Sequence, residues 1–116
     1  MRRTVLIALF CLLFAAAPRA ADGFVDGIDD LPLMAGLVAA GEPTVFDAPQ
    51  GRVVEALAEG TATRAAVLAF YAGTLPQLGW RADGTGRYAR EGERLVIEFP
   101  PAPAGRTQVR FFLSPE

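Results

Sequence analysis

The sequence predicts an α+β domain: an antiparallel sheet of five or six strands with one helix packed on one face, in the order β-β-α-β-β-β. Three observations predict it. Short segments alternate apolar and polar residues, as in Leu95, Ile97 and Phe99 or Val109, Phe111 and Leu113. One apolar stripe recurs at helical spacing: Val67, Phe70, Tyr71, Leu75 and Leu78. The segments are joined by turn signatures: Ala48-Pro49-Gln50-Gly51, Gly84-Thr85-Gly86 and Glu91-Gly92-Glu93.

Residues 1–20 have the layout of a secretory signal peptide. Arg2 and Arg3 form the basic start, Val5 to Ala17 the apolar middle, and Pro18-Arg19-Ala20-Ala21 the small-residue exit. The apolar run is shorter than the roughly 20 residues of a membrane span. The mature form is therefore expected to have no span, with an uncleaved anchor as the alternative. Bulky Phe10 before Cys11 argues against a lipoprotein signal. Cleavage removes the only cysteine, so the exported chain has no disulfide and its stability rests on packing.

Residues 21–41 read as an extended acidic arm. Asp22, Asp26, Asp29 and Asp30 alternate with glycines, and Leu31, Leu33 and Leu37 stand as apolar anchors around Pro32. The arm is the first candidate docking element, with those three leucines as its contacts. The alternative is that they pack on the protein's own sheet. The aspartates lack the spacing of a calcium loop, so a solvated face is expected and no metal.

Residues 42–116 form the single α+β domain. Glu42 to Ala48 and Arg52 to Glu59 make a hairpin. Val54, Ala56 and Ala58 share a small-residue face expected under the helix. The helix starts at a Thr61 or Thr63 cap, is tightened by Pro76 and is stopped by Gly79. Trp80–Asp83, Arg87–Arg90, Arg94–Phe99 and Arg106–Leu113 then form a meander. Trp80 is expected to be buried against the helix end.

Phe70-Tyr71, three residues, Leu75-Pro76, two residues and Gly79-Trp80 form a segment that resembles a pattern in small exported bacterial α+β proteins. Phe46 to Ala56 is similar to the same group. The resemblance implies fold and export and carries no activity.

Composition excludes most chemistry. The chain has no His, and after residue 20 it has no Cys, Lys or Asn and a single Ser, Ser114. Ser114 has no base to activate it, and transition metals lose their usual ligands. No catalytic residue, cofactor or metal is expected. Glu55 and Glu59 lie too far apart along a strand for paired-carboxylate chemistry. Residues 21–116 carry 13 acidic residues against 8 Arg, so nucleic acid is not an expected partner. The arginines show no clustering along the chain.

Val96 and Phe112, expected among Arg81, Arg94, Glu98 and Arg110 on the sheet face away from the helix, are the second candidate docking site. The reading is a non-enzymatic protein of the bacterial envelope, periplasmic or secreted, acting as a binding or accessory module for an envelope protein partner. The alternative is a small-ligand or lipid carrier with a cavity between helix and sheet. A carboxylate-only hydrolase ranks third. N-terminal sequencing of the exported protein should begin at Ala21 or Asp22. A form starting at Met1 in the cytoplasm would contradict the signal.

Overall fold

The computed structural model describes residues 23–116. Residues 1–20, expected to be a signal peptide and including Cys11, and Asp22 lie outside the described residues. The chain is α+β, with one helix and one antiparallel sheet. The strands are β1 (Leu37–Ala39), β2 (Thr44–Ala48), β3 (Gly51–Gly60), β4 (Arg81–Ala82), β5 (Arg87–Arg90), β6 (Glu93–Glu98) and β7 (Thr107–Pro115). The sheet has seven strands rather than five or six, in the order β1-β3-β7-β6-β5-β4, and β2 also pairs with β3. The additional strand is β1, a three-residue edge at the end of the expected arm.

The hairpin and the meander form as expected, and β7 closes the sheet by pairing with β3 from Val54↔Leu113 to Gly60↔Thr107. Helix α1 (Arg64–Thr74) begins at Thr63, whose hydroxyl accepts from the Ala66 N–H at 3.1 Å. Pro76 has no N–H to continue the α-helical ladder, and Leu75–Leu78 tightens into a 3-10 turn. Gly79 ends it with φ 92°, a left-handed conformation that costs glycine little. Trp80 is buried behind it, with the Arg90 guanidinium 4.3 Å over its ring. Leu78, placed on the apolar stripe by its spacing, is exposed instead, because the 3-10 turn rotates it off the helical period.

The expectation of an extended arm is corrected by the packing. Val25, Ile28, Leu31, Leu33 and Leu37 are all buried, and Leu31 is 0 % exposed. The segment is folded by its own backbone: the Val25 N–H donates to the Leu31 carbonyl (2.8 Å) and the Leu33 N–H to the Gly23 carbonyl (2.9 Å). Two further turns, Ile28 N–H to Val25 O and Leu31 N–H to Ile28 O, make the chain reverse in steps of three. Apolar residues at 25, 28, 31, 34 and 37 follow that step, while Asp26, Asp29 and Asp30 face solvent. A period of three matches neither helix nor strand, which is why the pattern reads as irregular.

The segment also takes space expected for the helix. Val25 and Leu33 close over Ala56 and Ala58, leaving a void of about 10 Å³, room for no more than one water. The helix stands over β7, where the Tyr71 and Phe111 rings meet edge to face at 5.4 Å. Close approach is required where β1 crosses the end of β3. Leu37 pairs with Gly60, and a Cβ at position 60 would overlap the Gly36 carbonyl.

Tyr71 joins the two parts. Its hydroxyl donates to the Pro32 carbonyl at 2.7 Å and accepts from the Met34 N–H at 3.3 Å. Burial pushes the phenol well above its ordinary value, and the Met34 hydrogen bond opposes only part of that.

Two outcomes follow from this packing. Leu31→Ala should destabilise the protein by about 2–5 kcal/mol in urea unfolding, a large share of a typical stability of about 5–15 kcal/mol. A negligible loss would mean that the segment is not part of the core. The native state also holds the Tyr71 proton more tightly than the unfolded chain, so stability is complete below about pH 10 and falls as pH rises beyond it. Urea midpoints at about pH 8 and about pH 11 should show this fall. It should be smaller in Tyr71→Phe, with Tyr88, also raised by burial, supplying the rest.

Candidate functional site

Alternation along each strand gives the sheet two unlike faces. Val54, Ala56, Ala58, Leu95, Ile97, Val109, Phe111 and Leu113 point to the core and are buried. The other face is not covered by any described element. The register there places Phe46 beside Val53, Phe112 beside Val96, and Leu57 beside Arg110. Val96 and Phe112 are thus directly opposite one another on β6 and β7, both half-buried. Phe46 lies farther out on the β2 edge and is 55 % exposed.

Charges surround this apolar set. The Arg110 Nε lies 2.9 Å from Glu55 Oε2 and 3.5 Å from Glu98 Oε1, and its guanidinium stands 5.4 Å from the centre of the Phe112 ring. Its Nε–H is not aligned for a hydrogen bond to either carboxylate, so these contacts are ionic. With Arg110 38 % exposed, such pairs contribute little stability, about 0–1 kcal/mol. They orient side chains rather than hold the fold. Glu59 belongs to a different pair, with Arg106 at 3.6 Å, so Glu55 and Glu59 do not act together. Arg52 clamps the start of β3 to Glu93 on β6 at 3.1 Å, and that hydrogen bond raises the Arg52 pKa further.

Of the five residues expected to dock a partner, only Val96 and Phe112 are on this surface. Leu31, Leu33 and Leu37 are in the core, which withdraws them from any partner in this fold. The physical reason is that folding residues 23–37 buries apolar area against β3 and the helix, where each fully buried leucine contributes about 1.5–3 kcal/mol. Phe46 was missed as a member of the face, and Val53, legible on the side of β3 away from the helix, was not counted as a contact; the signal for both was present. Both belong to strands whose alternation was legible, and the two-residue turn Pro49-Gln50 sets their pairing.

A second feature lies on the helix side of the sheet. An open groove of about 530 Å³ runs between Leu68 and Ala72 of α1 and the Gly84–Gly86 turn, with Tyr88 in its wall. Tyr88 is 4 % exposed, and burial raises its phenol pKa. The lining has no charged side chain. Among the described residues no three His, Cys, Asp or Glu side chains come together in a set that would hold a metal. No described helix is long and apolar enough to cross a membrane.

Comparison of the chain with protein-family models, with curated proteins and with solved structures finds no match.

Proposed function

We propose that the protein is an exported, non-enzymatic component of the bacterial envelope that works as a binding or accessory module, with the open sheet face as its partner surface. The observation that carries this reading is the Val96–Phe112 pair, two half-buried apolar side chains on a face that no described element covers. An apolar centre with a charged rim is the composition of a protein contact surface. Export rests on the signal layout of residues 2–20 and on the resemblance carried by Phe70–Trp80. The absence of His from the whole chain leaves Ser114 without the base that nucleophilic catalysis requires.

The groove beside Tyr88 favours a second reading, a carrier of a small uncharged ligand. It is the opening between helix and sheet that a carrier needs, although it lies beside β4 and β5 rather than over Ala56 and Ala58, where residues 25–33 fill the space. Native mass spectrometry of the protein from its own compartment would show a bound small molecule if this reading holds.

The partner reading is tested by cross-linking the tagged protein in its own envelope and comparing it with Val96→Glu and Phe112→Glu. The parent protein should recover one reproducible partner. Both variants should lose it while their unfolding free energies in urea stay within about 1 kcal/mol of the parent, as expected for positions on a wet sheet face. Retention of the partner by both variants would reject this face as the contact.

A further inference from the structure

Arginines that are dispersed in the sequence are gathered at one corner of the open face. Arg81 on β4 and Arg94 on β6 stand opposite Ala89 of β5 from its two sides. Arg87, two residues before Ala89 on the same strand, faces the same way and stands opposite Val96. It is a diagonal neighbour of both other arginines, at about 7–8 Å. Ala89 is only 3 % exposed although it points to the uncovered face, as expected of a small side chain flanked by long arginine stems. Three arginines therefore occupy neighbouring register positions around Ala89.

In this patch three arginines stand against two carboxylate side chains, Asp83 and Glu116, in a chain with an acidic excess. Arg52, Arg90, Arg106 and Arg110 each have a carboxylate within 3.6 Å. Arg87 and Arg94 have none within 4.0 Å among the described residues, and Arg81 reaches only Glu116, at 4.0 Å. Asp83, whose N–H donates to the Arg87 carbonyl at 2.8 Å, is exposed and forms no ion pair among the described residues. The Arg94 Nε is withdrawn from water and has no hydrogen-bond acceptor. Like charges side by side on a sheet repel, and a guanidinium lacking acceptors is poorly satisfied. An anion over the patch relieves the repulsion. Ser114, opposite Arg94 on β7, adds a hydroxyl donor at the margin of the patch.

We propose that Arg81, Arg87 and Arg94 form a binding site for a phosphate group, a doubly charged tetrahedral oxyanion carried free or on a headgroup. The planar guanidinium fork grips two oxygens at once, and adjacent forks match the several oxygens and the double charge of phosphate better than the single charge of a carboxylate. The site stands on the arginine corner alone and does not require Val96 and Phe112 to bind a protein.

The test is an NMR titration of the protein with inorganic phosphate, at ionic strength held constant with chloride, following the arginine Nε–H signals. Those of Arg87 and Arg94 should shift saturably, and acetate should bind more weakly. Arg87→Gln/Arg94→Gln should weaken phosphate binding by about ten-fold or more, as expected for the loss of charge-assisted hydrogen bonds. Arg64→Gln is the control, since Arg64 is also without an ion pair among the described residues but lies over Phe99 at 5.6 Å, away from the patch. Unfolding midpoints of all three proteins verify the fold. Saturable phosphate binding without sedimentation on phosphatidic acid–phosphatidylcholine vesicles assigns a free phosphate. Binding to those vesicles as well, but not to phosphatidylcholine alone, assigns a headgroup. No saturable shift, an equal loss in Arg64→Gln, or vesicle binding without phosphate binding would overturn the site. Partner capture by the Val96 and Phe112 variants is read separately, so either proposal can fail alone.

Discussion

The hydroxyl of Tyr71 fixes where two parts of the chain, brought together by apolar packing, meet. It reaches from the middle of the helix to the Pro32 carbonyl and the Met34 N–H, both on the segment that leads into β1. Its ring meanwhile packs edge-on against Phe70 at 4.9 Å and against Phe111 of β7. One side chain thus spans segment, helix and sheet. A phenol buried without partners would carry a desolvation cost, and here the two backbone groups remove it. The segment around Leu31 is fixed where it completes the core, and the register of β1 on Gly60 follows.

That arrangement decides which surfaces remain free. With one short helix, one face of the sheet cannot be covered by helix alone. The helix covers the β7 side through Val67, Tyr71 and Leu75, and residues 25–33 close over the small side chains of β3. Small residues at Ala56 and Ala58 suit a backbone loop lying close to the strand. Nothing comparable covers the opposite face among the described residues. The gap beside Tyr88 exists for a related reason: Ala69 and Ala72 on α1 and the glycines at 84 and 86 do not extend far enough to close it.

The open face combines two chemistries at different places. Toward β3 and β7 its arginine is neutralised, because Arg110 sits between Glu55 and Glu98 and leaves Phe112 and Val96 as the apolar centre. Toward β4 and β5 the arginines outnumber their carboxylates. The division follows from pairing: the acidic residues of β3 and β6 face β7, whereas Ala89 on β5 offers its neighbours no charge.

Much of the fold is legible in the sequence because it is local. Alternation marks β3, β6 and β7, Thr63 supplies a cap three residues from the N–H it accepts, and Pro76 and Gly79 end the helix through their own backbone constraints. Val96 and Phe112 could be placed on a wet face by the same period of two. Residues 23–41 could not be placed this way. Their apolar step of three has meaning only once a β3 surface and the Tyr71 hydroxyl are present to receive it. Nor could the arginine corner be found by scanning the chain, since Arg81, Arg87 and Arg94 become neighbours only through strand pairing. The sequence by itself determined the elements and their two-faced patterning, because torsional preference and side-chain alternation act over a few residues. Only the tertiary structure decided which leucines became core and which charges share a patch, because register and burial depend on contacts between residues far apart in the chain.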